Sequence, residues 1–229
     1  MPVLAQAEKL NPLANETVID MSVEGAGRSE TFNLQPRVPI DLPGDWRLVS
    51  RSNVPITWVR GGESASGFGD IDVSAFVTRT TTSPWTWGAG PMVQTPTATG
   101  GIESTGKWSA GPTGALVFVN NGWINGVVIS HLWSVAGASA RDPVSLTQIE
   151  LTISYSFSNK WYFNANPTVS RDWKLPADAG WTVPVGVDVG RSFELGPHEL
   201  SVQADLYRNV RRTADDPAWT FGVEVAWTR

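Results

Sequence analysis

Cysteine is absent from the 229 residues, which removes disulfide, thiolate and cysteine-ligated metal chemistry. Charged side chains are scarce, at 17% against the roughly 25% usual for soluble domains. Histidine occurs only twice, at His131 and His198, so general-base catalysis has few candidates. No apolar run reaches the roughly 18 residues a spanning helix needs, and a helical membrane protein is excluded. Basic clusters are lacking as well. Apart from Arg208, Arg211 and Arg212 the cations are scattered, the net charge is −5 and the pI is near 5.0, which argues against a nucleic-acid partner.

Tryptophan, by contrast, is abundant, with 12 in the chain. Period-2 alternation runs along most of the sequence, as expected of strands whose faces meet different environments. Over Trp219–Trp227 the odd positions Trp219, Phe221, Val223, Val225 and Trp227 are apolar, opposite Thr220, Gly222, Glu224 and Ala226. The same alternation holds for Trp181–Val189 and Leu146–Phe157, and in Leu200–Tyr207 it is the even positions Leu200, Val202, Ala204 and Leu206 that are apolar. Each stripe lasts about ten residues, the length of a tilted strand crossing a bilayer.

The pattern predicts strands near 16–25, 29–40, 45–59, 67–79, 84–97, 106–119, 122–135, 146–157, 160–171, 180–192, 198–208 and 218–228. Prolines inside them (Pro36, Pro39, Pro55, Pro91, Pro112, Pro167, Pro184) each remove a ladder donor and are expected at bulges or bends. Connections alternate in length. Short ones centre on 41–44, 80–83, 120–122, 158–159 and 195–197, and longer polar stretches on 61–66, 98–105, 136–145, 172–179 and 209–217. Short turns on one side and long loops on the other are the arrangement of outer-membrane barrels.

The predicted architecture is therefore all-β: a closed, antiparallel, up-and-down transmembrane β-barrel of about twelve strands over 16–229, preceded by an N-terminal segment, 1–15. That segment is either the remnant of a secretory signal, since Ala5-Gln6-Ala7 has a small-x-small pattern, or a plug for the lumen. Tryptophan favours the membrane–water interface. Trp46, Trp85, Trp87, Trp123, Trp161 and Trp227 fall at the short-turn side, and Trp58, Trp108, Trp133, Trp181 and Trp219 at the long-loop side, leaving Trp173 in a loop.

If the apolar stripe faces lipid, the polar stripe lines a lumen. By strand parity that lining holds Asp20, Glu24, Gln35, Arg37, Arg47, Arg51, Asp70, Asp72, Lys107, Glu150, Asn164, Asp188, Gln203, Asp205 and Glu224. Its basic residues are expected either to pair across neighbouring strands with Asp20, Glu24, Asp70 and Asp72 or to form one arc of a polar solute track. No enzyme site is evident. Ser130 and His131 are adjacent on a strand and point to opposite faces, and Asp70 with Asp72 is expected to be solvated or salt-bridged instead of ligating a metal. No cofactor is implied.

Several segments together resemble a family of proteobacterial outer-membrane proteins grouped under the meta-pathway of phenol degradation. The carriers are Asn11-Pro-Leu-Ala-Asn15, Phe32–Ile40, Asp45-Trp-Arg-Leu-Val-Ser-Arg51, Trp85-Thr-Trp-Gly-Ala-Gly-Pro91, Thr105–Thr113, His131-Leu-Trp-Ser134 and Trp181-Thr-Val-Pro184. The resemblance implies a β-barrel of the bacterial outer membrane with a role in uptake of small, often aromatic, compounds. The sequence departs from outer-membrane custom in ending Trp227-Thr-Arg229, without a terminal aromatic.

The leading expectation is a passive channel or transporter for small solutes, with the lipid bilayer as partner and the oligomeric state left open. The alternatives are a non-conducting barrel plugged by its own ion pairs and by residues 1–15, and a soluble ligand-binding barrel in which the apolar stripe faces inward.

Overall fold

Alternation of side chains along each strand produces one continuous sheet that closes on itself. The computed structural model describes residues 11–61, 64–214 and 216–228, so the Ala5-Gln6-Ala7 motif lies outside the described residues. The strands are β1 (Val18–Ala26), β2 (Ser29–Asp41), β3 (Trp46–Val59), β4 (Ala65–Phe68), β5 (Ile71–Arg79), β6 (Trp85–Thr95), β7 (Lys107–Asn120), β8 (Trp123–Gly137), β9 (Ser145–Ser156), β10 (Trp161–Ala165), β11 (Thr168–Asp172), β12 (Trp181–Leu195), β13 (His198–Arg211) and β14 (Trp219–Thr228). Neighbours in sequence pair antiparallel, and β1 pairs with β14 from Val18↔Thr228 to Gly25↔Phe221, which closes the ring.

Four of the fourteen segments are the halves of two crossings. β4 and β5 both lie against β3, broken at Gly69-Asp70, and β10 and β11 both lie between β9 and β12, broken at Asn166-Pro167. The wall is thus twelve strands, closed and antiparallel, as the patterning predicts. Among the described residues there is no helix.

Connections 42–45, 80–84, 121–122, 157–160 and 196–197 lie at the end shared by both strand termini. At the other end run 60–64, 96–106, 138–144, 173–180 and 212–218, together with a tight turn at 27–28. Gly27 and Gly196, in the tightest of these turns, take φ of 62° and 65°, where a β-carbon is strained.

Exposure follows the predicted faces. Val185 and Val223 point outward and are 58% and 52% exposed, while Asp188 on the opposite row is 2% exposed. Nine of the eleven tryptophans assigned to strand ends are exposed on the outside. Trp181 lies half-buried under the Arg171 guanidinium, 5.8 Å from its ring centroid, and Trp227 packs on His198 at 4.7 Å between centroids. The inverted alternative, with apolar side chains around a cavity, is therefore not the fold this chain adopts.

The prolines behave differently from expectation. Only Pro184 sits at a register shift and only Pro167 at a strand break. Pro36, Pro91 and Pro112 each open a local gap in one ladder while register continues beyond it: Leu34↔Val54 resumes at Arg37↔Arg51, Ser74↔Met92 at Val77↔Ala89, and Ala110↔Trp133 at Thr113↔Ser130. A strand inside a closed sheet turns each N–H toward one neighbour only, so a proline costs one bond on one side and the other ladder holds the register. Glycines line two of these gaps. A β-carbon on Gly90 would fall 1.8 Å from the Ala75 carbonyl oxygen, and one on Gly111 1.7 Å from that of His131. Gly90→Ala and Gly111→Ala are expected to lower the yield of folded barrel sharply, read as loss of the heat-modifiable band on a gel, whereas Gly27→Asn at the tight turn is tolerated.

Candidate functional site: a polar lumen

The inward row of the sheet encloses three chambers that share lining residues. The largest, about 420 Å³, is lined by Asp20, Glu24, Gln35, Arg37, Arg51, Asp72 and Glu150 among others. A second, about 230 Å³, is lined by Glu24, Asp188, Gln203, Asp205, Tyr207 and Glu224. A third, about 120 Å³, shares Arg51 and Glu150 with the first and Asn166 and Glu224 with the second, and reaches Pro12. At the long-loop end a wider vestibule of about 1120 Å³ is formed by loops 96–106 and 138–144 with Asp70, Glu103, Arg141, Asp142 and Asp172.

Among the described residues one ion pair crosses the lumen. Arg51 on β3 donates from Nη2 to Oε2 of Glu150 on β9 at 2.9 Å. β5, β6, β7 and β8 separate these strands on one side of the ring, and β2, β1, β14, β13, β12 and the β10–β11 crossing separate them on the other. The bridge therefore spans the bore. Both residues line the first and third chambers, which places it at their junction. Arg37 pairs instead with a neighbouring strand, its Nη2 donating to Asp20 Oδ2 at 3.2 Å, and it also donates to the backbone carbonyl of Asn11.

From β9 to β14 a hydrogen-bonded chain runs between strands. Ser154 Oγ donates to Asn164 Oδ1 at 2.6 Å, Asn164 Nδ2 to Gln203 Oε1 at 2.9 Å, and Gln203 Nε2 to Glu224 Oε2 at 3.2 Å. Asn166, at the β10–β11 break, donates to Asp188 Oδ2 at 2.8 Å and its backbone N–H to the Tyr207 hydroxyl at 2.7 Å. Buried polar groups that satisfy one another in this way fix side-chain positions.

Eleven of the fifteen residues placed inside by parity line the three chambers. Asn164 is buried in the wall behind them. Three lie elsewhere. Arg47 pairs at 2.9 Å with Asp41, at the short-turn mouth. Asp70 is drawn into the vestibule, where its carboxylate accepts from Ser104 Oγ at 2.7 Å and from Thr105 N and Oγ1 at 2.9 and 3.0 Å. Lys107 donates to the Ala138 carbonyl at 2.6 Å beside the bulge at Trp108/Ser109. Asp70 and Lys107 lie at strand ends, where loop contacts replace the pleat, whereas Arg47 keeps the row of Val49 and Arg51 and pairs with its register neighbour on β2.

The parity list also leaves out Asn53, Asn166 and Tyr207, which line the same space. It also passes over the N-terminal segment. Leu13 is 3% exposed and packs with the inward side chains of Phe76, Ala115 and Val128. A β-carbon on Gly88 would meet Leu13 at 2.8 Å, so the wall has a hollow at that point.

The chambers are formally acidic. Asp20, Glu24, Asp72, Glu150, Asp188, Asp205 and Glu224 face Arg37 and Arg51, so seven carboxylates against two guanidinium groups leave −5. Neither histidine reaches this space. His131 lies on the outer face, bonded through Nδ1 to Thr147 Oγ1 at 2.7 Å and near Ser145 Oγ at 3.4 Å. Thr147 also accepts the Trp173 indole N–H at 2.8 Å. A threonine hydroxyl carries no charge with which to stabilise an imidazolium, and these contacts tie Trp133 and Trp173 to the rim. Among the described residues no group of three or more His, Asp or Glu side chains is arranged to hold a metal ion.

No family model matches the chain, and none of the curated proteins does. Solved structures do. The chain is similar to the COG4313 outer membrane channel from Pseudomonas putida F1, with a TM-score of 0.70 and 14% identity over 97% of both chains. It is also similar to the NanC porin, with a TM-score of 0.60 and 12% identity over 93% of this chain and 98% of that one. The KdgM porin follows at a TM-score of 0.50 and 9% identity. At these identities the likeness is one of fold: a closed outer-membrane-type barrel.

Proposed function

We propose that the chain spans the bacterial outer membrane and conducts small solutes passively from the loop vestibule through its acidic lumen. The observation that carries this reading is the orientation of the two side-chain rows. Carboxylates and arginines line the interior while valine, leucine and tryptophan cover the outside, an arrangement stable only where hydrocarbon surrounds the sheet. The largest chamber lies within the roughly 300–1,000 Å³ range of small-molecule pockets, and two of the structures with this fold are named as porins and a third as a channel.

No catalytic step enters this reading. Cationic and polar solutes suit the lining best. The aromatic solutes implied by the family resemblance are the other class to test, by liposome swelling with matched phenolic and aliphatic compounds.

Purified protein in planar bilayers is expected to give unitary current steps, and a bilayer that stays sealed at high protein loading contradicts conduction. The membrane assignment has its own test. Val223→Arg on the outer row is expected to destabilise the folded barrel in liposomes by roughly 2–4 kcal/mol, as a lipid-facing arginine near mid-membrane does. A change near zero in urea unfolding contradicts it.

A second reading rests on Leu13. The segment Asn11–Asn15 is seated inside the short-turn end, with Leu13 and Ala14 buried and Pro12 at the wall of the third chamber. In that reading the segment restricts the resting lumen.

A further inference from the structure

The densest group of basic residues, Arg208, Arg211 and Arg212, takes no part in the lumen. Arg208 belongs to the outer row of β13, between the exposed Leu206 and Val210. On the adjoining strands its register partners are Val185 of β12 and Trp219 of β14, both outward and exposed. One row nearer the middle of the barrel lie Val187, Leu206 and Phe221, again all exposed. A guanidinium thus interrupts an apolar surface close to the long-loop end. It lies over the Trp219 ring, 5.6 Å from the centroid, and among the described residues no carboxylate or carbonyl takes its hydrogen bonds.

Its two neighbours are also without a carboxylate partner among the described residues. Arg211 donates to the Asp178 backbone carbonyl at 3.2 Å and Arg212 to the Asp216 carbonyl at 2.8 Å. The Asp216 carboxylate accepts instead from the Thr182 hydroxyl and from Thr213 N. Backbone carbonyls orient a guanidinium but do not neutralise it. Five N–H donors in a planar fork are matched by the oxygens of a phosphate.

We infer that the tip formed by β12, β13 and β14 binds a lipid with a phosphorylated headgroup in the leaflet at the long-loop end. The inference rests on the membrane reading above. The phosphate sits between Arg208 and Arg212, and an acyl chain follows the row Val187, Leu206 and Phe221. The arginine stem lies along that apolar surface while its head rises to the interface, the usual behaviour of a long basic side chain at this depth. A soluble anion would not need the apolar row, and an acidic protein would not need a cation set among membrane-facing side chains.

The experiment is native mass spectrometry of the full chain released from detergent, with lipid A and its enzymatically dephosphorylated form as competing probes. Wild type is expected to retain the phosphorylated lipid preferentially. R208Q/R212Q is expected to weaken retention about fivefold for each arginine removed, the usual contribution of a basic residue at an anionic lipid surface. R208K keeps the charge and most of the binding. R191Q is the control: Arg191 stacks comparably on Trp161 and Phe193, 5.7 and 5.4 Å from their centroids, but lies at the opposite end. Equal retention of both lipids, or equal loss in R191Q, overturns the inference. A protein that stays monodisperse without detergent defeats the membrane reading itself, whereas one that inserts into bilayers and shows no phosphate preference defeats only the lipid site.

Discussion

Removing the bridge across the bore is expected to raise unitary conductance, and its two halves should move ion preference in opposite directions. Arg51→Ala deletes one of two lumen cations and leaves seven carboxylates facing Arg37 alone, so cation preference rises with the current. Glu150→Ala deletes the partner, and cation preference falls while the current still rises. Both side chains are about a third exposed, at 31% and 37%, so lumen water solvates the survivor and the barrel stays folded. Single-channel recording with a reversal-potential measurement reads both quantities. A current unchanged in both variants means that the narrowest passage lies elsewhere.

The other large effect belongs to the N-terminal segment. Leu13→Asp would set a carboxylate against Phe76, Ala115 and Val128, with no cation at that point among its packing neighbours. Burying an unpaired charge costs far more than one leucine contributes by packing. The segment is therefore expected to leave its seat, with a severalfold gain in conductance and protease cleavage near Asn11. Leu13→Met, which preserves volume, should behave as wild type. Cleavage without a change in current would show that the segment lies beside the path and does not obstruct it.

Much of the wall was legible in the sequence because a sheet with two different environments has no freedom of register: a slip of one residue would send Val223 inward and Glu224 to lipid. All twelve crossings are placed within a few residues of their observed bounds, the largest differences being the longer ends of β12 and β13 at Leu195 and Arg211. Interior chemistry was legible to the extent that parity holds. It fails at Asp70 and Lys107, whose partners Thr105 and Ala138 belong to loops that no periodicity describes.

Contacts between distant strands were not legible at all. Arg51 is expected either to pair with acids on adjoining strands or to form part of a polar track, and it reaches Glu150 across the bore because ring closure, unlike strand pairing, places residues 99 positions apart face to face. Prolines inside strands are expected at bulges or bends, yet Pro91 and Pro112 face each other in unbroken register. The second ladder of an interior strand compensates for each missing donor, and single-strand reasoning has no place for it. Burial of Leu13 carries no periodic signal either, since the segment is neither strand nor helix.

Conduction requires an acid-lined passage running through the barrel from one end to the other. A potassium chloride gradient across a planar bilayer containing the protein measures it directly. The predicted result is a nonzero current whose reversal potential has the sign of potassium preference, reduced when lumen carboxylates Asp188 and Glu224 are replaced by their amides. Chloride preference, or no current in either direction, would contradict it.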